Sequence, residues 1–237
     1  MLRRAAALLT VAIMVCLIFS TAAQAQTSDV YSVNFFTNNV SIGQVGTDSL
    51  TILPDQAVYI INPGVQGAPI NPATGLVSTA GYLCANVYVF DSHQEMEECC
   101  SCPISPNGIV QLSLKRDLTA NPLRGFSLGN GVIKLVSSLP ISVTPNGVSP
   151  TTATAVCDAG EIGSAGETMV PDLRAWGTQF QITSLIPLRY SFTQSRFTDA
   201  PLSAAEAAFL PLTCQFVRYL GSGQGVCRCP STDMAED

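Results

Sequence analysis

Cys84-Ala-Asn-Val-Tyr-Val-Phe90 is the most strand-like run in the chain. Its β-branched and aromatic side chains fit a pleated surface better than a helix. Similar short runs lie on either side, at Val30–Phe36, Ser49–Leu53, Ala57–Ile61, Gly108–Leu114, Val132–Val136, Thr151–Val156, Gln179–Thr183 and Arg189–Phe192. Turn chemistry separates them. Asn62-Pro-Gly64 stops one run, and Asn107-Gly108, Asn130-Gly131 and Asn146-Gly147 each precede Val or Ile. Asn-Gly supplies the positive φ angles of tight hairpins. Pro63–Gly81 and Gly160–Asp172 read as long loops. No helices are interleaved, which argues against a parallel α/β sheet. The pattern predicts a mainly β chain: an antiparallel β-sandwich, Ig-like or jelly-roll-like, with one C-terminal α-helix and disulfide stabilisation.

The helix is expected over 203–220. Ser203-Ala-Ala-Glu206 has the form of a capping box. Phe209, Leu212, Phe216 and Leu220 share one face, with Leu210, Cys214 and Val217 beside it. Pro211 cannot donate to residue 207, which predicts a kink or a restart. Arg218 suits the negative end of the dipole and Gly221 a stop.

Export is read from the beginning of the chain. Arg3-Arg4, an apolar run over Ala5–Phe19 and a small-residue box at Ala23-x-Ala25 have the layout of a secretory signal peptide. Cleavage between Ala25 and Gln26 is expected, giving a signal over 1–25 and one sandwich domain over 26–237. Loss of Arg3 and Arg4 leaves nine basic residues against 17 acidic, a formal charge of −8. That sign disfavours nucleic acid and anionic membranes. No later stretch is apolar enough to span a bilayer. The expected location is secreted or periplasmic, where eight remaining cysteines (Cys84, Cys99, Cys100, Cys102, Cys157, Cys214, Cys227 and Cys229) are read as disulfides.

Chemistry-bearing residues concentrate in His93-Gln-Glu-Met-Glu-Glu-Cys-Cys-Ser-Cys102, which holds the chain's single histidine. Three readings compete for it. As a staple, Cys84 opens a strand that the chain leaves at Asp91, the cluster lies after a short loop, and closing the resulting ring of about 15 residues is worth roughly 3 kcal/mol. In an extended chain Cys100 and Cys102 face one side and Cys99 the other, so Cys99 takes a different partner. Cys214, Cys227 and Cys229 are expected to tie the helix to the β core. As a metal centre, the candidates are His93, Glu95, Glu97 and Glu98. Neither a complete zinc-ligand pattern nor an Asp-rich calcium loop is present, and thiolates rarely stay reduced outside the cytosol, so no metal and no cofactor is expected. As a redox centre, Cys99–Cys102 has a Cys-x-x-Cys frame, but Glu97 and Glu98 work against a reactive thiolate.

Hydrolase signatures are missing: neither Gly-x-Ser-x-Gly nor His-Glu-x-x-His occurs. A glycosidase pair would have to come from Asp158, Glu161, Glu167 or Asp172. Gly221-Ser-Gly-Gln-Gly225 follows the helix and lacks a lysine, unlike a phosphate loop. Asn39-Val-Ser41 matches a glycosylation sequon, and Trp176 is the lone tryptophan. No catalytic residue is assigned.

Three segments carry a resemblance. They are Cys84–Asp91 running into Glu98-Cys-Cys-Ser-Cys-Pro103, Leu173-Arg-Ala-Trp-Gly-Thr178, and Pro201–Glu206 leading to Gly221–Cys229. Their order resembles a group of exported, cysteine-containing bacterial proteins to which no activity is assigned. The resemblance implies bacterial export and contributes no site residue. The expected role is non-enzymatic, structural or ligand-binding, at or outside the cell envelope. Alternatives are a carbohydrate-active hydrolase using loop carboxylates and a metal-binding envelope protein centred on His93.

Overall fold

A computed structural model describes residues 30–38, 55–67, 80–143, 154–163, 167–185, 188–220 and 223–230. The proposed signal with Ala25 and Gln26, the sequon at Asn39, the run Ser49–Leu53 and Asn146-Gly147 lie outside them.

The strands are β1 (Tyr31–Thr37), β2 (Ala57–Ile61), β3 (Leu83–Asp91), β4 (Met96–Ile104), β5 (Ile109–Ser113), β6 (Asn130–Ser138), β7 (Ile141–Val143), β8 (Thr154–Val156), β9 (Arg174–Leu185), β10 (Leu188–Arg196) and β11 (Thr198–Asp199). One helix, α1 (Ala204–Leu220), follows them. One sheet has the order β11-β1-β6-β3-β4, a second has β10-β9-β2-β5, and β7 pairs with β8 alone. Every pair of named strands is antiparallel.

Alternation along β3 builds two cores. Leu83, Ala85, Val87 and Val89 face the second sheet and meet Val58, Ile60, Leu112 and Ala175. Tyr88 and Phe90 face the other way, under Leu210, Cys214 and Val217 of α1. The expected sandwich with one late helix is therefore present, and its first sheet is covered on both faces. That is why β3 is buried at every position and reads as a nearly continuous apolar run. Each fully buried Val or Leu contributes roughly 1.5–3 kcal/mol. Asn86, the polar member, donates to Val136 O and Ser138 Oγ at 3.1 and 2.8 Å and accepts from Ser101 Oγ at 2.5 Å. Asn34 bridges the two sheets, donating to Ser195 Oγ at 3.1 Å.

Two Asn-Gly pairs depart from the hairpin reading. Asn130-Gly131 lies inside β6, where a Cβ on Gly131 would stand 1.9 Å from Phe90 O. Glycine is there for a close approach between strands. Asn107 does adopt a positive φ, +61°, and Gly108 N–H donates to Ser105 O at 2.9 Å. That turn joins β4 to β5 across the two sheets, with Pro106 and Asn107 in the central positions favoured by a type II turn.

Ser203 caps α1, its Oγ accepting from Glu206 N–H at 3.1 Å. Glu206 does not close the expected box, because its carboxylate reaches Lys134 Nζ at 2.5 Å. The helix does not restart at Pro211 and runs unbroken from Ala204 to Leu220. Pro211 removes one hydrogen bond, while buried Leu210, Cys214 and Val217 hold both halves on the sheet. Arg218 pairs with Asp158 at 2.5 Å.

Candidate functional site

Asp91 ends β3 and organises the turn that follows. Its Oδ1 accepts from His93 N–H at 2.8 Å and Glu95 N–H at 3.0 Å, and Gln94 takes φ +69°. This is an Asx-type turn. It returns the chain as β4, so Met96–Cys102 is a strand rather than a cysteine cluster trailing a loop. Cys99, Cys100 and Cys102 consequently alternate across a sheet edge.

The C-terminal segment covers that edge. Cys99 N–H donates to Gly225 O at 2.9 Å, and Cys227 N–H donates to Cys99 O at 3.2 Å. Gly225 needs its positive φ of +76° and has no room for a side chain, since a Cβ would stand 2.3 Å from Val217 Cγ1. Gly223–Gly225 leads into a segment that pairs with β4 at the Cys99–Val226 bridge. Cys100 bonds Cys227, Cys102 bonds Cys229 and Cys99 bonds Cys214, with Cα–Cα separations of 5.2, 5.4 and 5.8 Å. Cys99 takes a separate partner, as alternation requires, and the C-terminal cysteines tie α1 and the tail to β4. Cys84 departs from the short-loop reading. It bonds Cys157, 73 residues away, because its side chain emerges on the face opposite Cys100 and Cys102.

The sulfurs of this cluster are all cross-linked. Cys100, Cys102 and Cys229 bring their sulfurs within 4.8 Å of one another, but all three are bridged. Of the candidates His93, Glu95, Glu97 and Glu98, two fall in one carboxylate group. His93 is largely exposed, with Nδ1 3.2 Å from Asp91 Oδ2. The oxygens that do converge belong to Asp91, Glu95 and Glu97, and the cation among them is the guanidinium of Arg124. Arg124 Nε meets Glu97 Oε1 at 2.5 Å, while its NH2 group meets Asp91 and, at 2.5 Å, Glu95. Its backbone N–H also donates to Glu97 Oε2 at 3.0 Å. Burial pushes the Asp91 carboxyl up, but bonds from Glu95 and His93 and the nearby guanidinium hold it below its usual range. Arg124 stands in the loop between β5 and β6, and nothing in its local sequence marks it.

Beside this cluster a cavity of about 300 Å³ opens between the β3–β4 turn and α1. Met96, Leu123, Phe209, Phe216 and Val217 give it apolar walls, and Glu95 and Arg124 stand at its polar end. Phe209 stacks on Phe90 with centroids 6.4 Å apart, and Lys134 Nζ lies 4.3 Å over the Phe90 ring. The buried stripe of α1 is Leu210, Cys214 and Val217, which leaves Phe209, Leu212, Phe216, Tyr219 and Leu220 exposed. The helix carries two charged residues, Glu206 and Arg218, and both reach out to partners off the helix.

Glu98 is fully buried on the β4 face shared with Cys100 and Cys102. Its Oε1 accepts from Asn121 N–H at 2.8 Å, and its Oε2 has no partner. Burial pushes its carboxyl from 4.5 up to about 8, against the Asn121 bond and aided by Glu97. Between those values the folded protein keeps a proton that the unfolded chain releases. Stability therefore falls as pH rises, at up to about 1.4 kcal/mol per pH unit from this group. Glu98→Gln is expected to melt with the parent at pH 5 and several degrees higher at pH 9. A parallel offset at both pH values would contradict this.

The loop acids considered for glycosidase chemistry have structural partners. Glu167 is buried, accepting from Ser138 Oγ at 2.8 Å and Asp158 N–H at 2.6 Å. Burial raises its carboxyl, partly offset by those two bonds. Asp158 pairs with Arg218, and Asp172 accepts from Gln66. Glu161 N–H bonds Asp158 O at 3.0 Å in the same turn. Trp176 sits half-buried in β9 between Tyr59 and Arg196.

Comparison with protein-family models, with curated proteins and with solved structures finds no match to this chain.

Proposed function

We propose that this chain is an exported, disulfide-stapled β-sandwich protein, secreted or periplasmic, with a non-enzymatic binding role at or outside the cell envelope. Four bridges favour an oxidising compartment. Among the described residues no helix is long and apolar enough to cross a membrane. The observation that carries the binding role is the uncharged outward face of α1, which leaves five large apolar side chains exposed beside a cavity. A contiguous apolar patch of this kind marks an interaction site more often than idle surface, and the cavity is at the lower end of small-molecule pockets.

The test uses the neutral fluorophore N-phenyl-1-naphthylamine. The intact protein is expected to enhance its emission. Phe216→Ser, which removes an exposed ring, is expected to bind it roughly tenfold more weakly with the fold intact, the loss of one aromatic contact. No enhancement, or equal enhancement by both proteins, would overturn the reading.

A further inference from the structure

The geometry points to a small organic ammonium ion with an aromatic or alkyl body as the occupant of the groove between α1 and the β3–β4 turn. This rests on the binding role argued above and adds its ligand class. Charge complementarity makes the choice. Asp91, Glu95 and Glu97 set three carboxylates around one guanidinium, with the largely exposed His93 imidazole against Asp91, so the carboxylates at the polar end outnumber the guanidinium by two. An anionic ligand would meet Arg124 only through that surplus. A cation would meet Glu95, the exposed member, whose carboxylate retains acceptor capacity beyond its bond to Arg124.

The apolar end supplies the rest of the fit. Phe209 and Phe216 stand two helical turns apart on one wall and face Met96 and Leu123 across the cavity. Aromatic faces attract ammonium groups, and the chain makes one such contact itself, Lys134 over Phe90, the ring on which Phe209 stacks. A volume of about 300 Å³ suits an aryl-alkyl amine rather than a folded partner.

Three probes with one body separate charge from apolar contact: 4-phenylbutylammonium, 4-phenylbutanol and 4-phenylbutyrate. Each is titrated into the disulfide-intact protein by calorimetry at pH 8. The ammonium is expected to bind roughly tenfold tighter than the alcohol, and the carboxylate weakest. Added salt shrinks the gap. In Glu95→Gln the ammonium loses most of its advantage while the alcohol is unaffected; in Phe216→Ser both weaken together. Equal binding of all three probes would overturn the charge selection and leave the groove reading standing. Preference for the carboxylate would also overturn it, making Arg124 the recognition group. Failure of every probe, the neutral one included, would overturn both.

Discussion

The double variant Cys84→Ala/Cys157→Ala is expected to lose about 4 kcal/mol of unfolding free energy, the loop-closure value for the 73 residues that this bridge spans. The route through Cys99–Cys214 is of about the same length, 15 residues from Cys84 to Cys99 and 57 from Cys157 to Cys214, so it does not short-circuit this loop. Cys102→Ala/Cys229→Ala is expected to lose only about 2 kcal/mol, although its ends are 127 residues apart. The reason is redundancy. Cys100–Cys227 closes almost the same loop, so removing its neighbour frees a ring of only a few residues. Removing both parallel bridges together is expected to exceed the sum of the single losses, because the long excursion is then shortened only by Cys99–Cys214. Urea titration of the oxidised variants reads these values. Equal losses for the Cys84 and Cys102 pairs would contradict the nested arrangement.

Arg124→Ala is expected to be the most damaging substitution outside the cysteines. Glu97 is almost completely buried, and both its oxygens bond Arg124, one through the guanidinium and one through the backbone. Truncation leaves that carboxylate with the backbone bond alone and takes the guanidinium from Asp91. A buried charge stripped of its partner is strongly destabilising, and the melting temperature is expected to fall by about 6 °C or more. Pairing the truncation with Glu97→Gln is expected to recover most of the loss, since the isosteric amide fills the site without a charge. If Arg124→Ala melted with the parent, the guanidinium would be a surface ornament and the polar end of the groove would need another account.

The strand pattern was legible where both sides of a strand are apolar. β3 could be read from Val87, Tyr88, Val89 and Phe90 because burial on two faces demands such residues at consecutive positions. β4 could not. Glu97-Glu98-Cys-Cys-Ser-Cys-Pro103 has neither alternation nor strand propensity, and its conformation is secured by cross-links and by the tail that pairs along it. The helix was legible from Ser203 and the apolar spacing, but not which stripe it buries. Its apolar arc is wider than the contact it makes, and the position of Cys214 over Cys99 settles the rotation. The parity of the cysteines and the divergence of Cys99 from Cys100 followed from alternation. The partner of Cys84 did not, because it depends on where a distant loop crosses the sheet. Arg124 was invisible for a similar reason: it meets Asp91 and Glu97 across 33 and 27 residues, and only sheet register brings that loop to the β3–β4 turn.

Bridge mapping on the non-reduced protein tests the framework most directly. Trypsin cuts after Arg228 and so separates Cys227 from Cys229, while stepwise partial reduction with alternate alkylation separates Cys99 from Cys100. The expected linkages are Cys84–Cys157, Cys99–Cys214, Cys100–Cys227 and Cys102–Cys229, with no alkylatable thiol among these eight before reduction. A linkage from Cys84 into the Cys99–Cys102 cluster, or free thiols within it, would contradict the arrangement that places β4, the tail and the groove together.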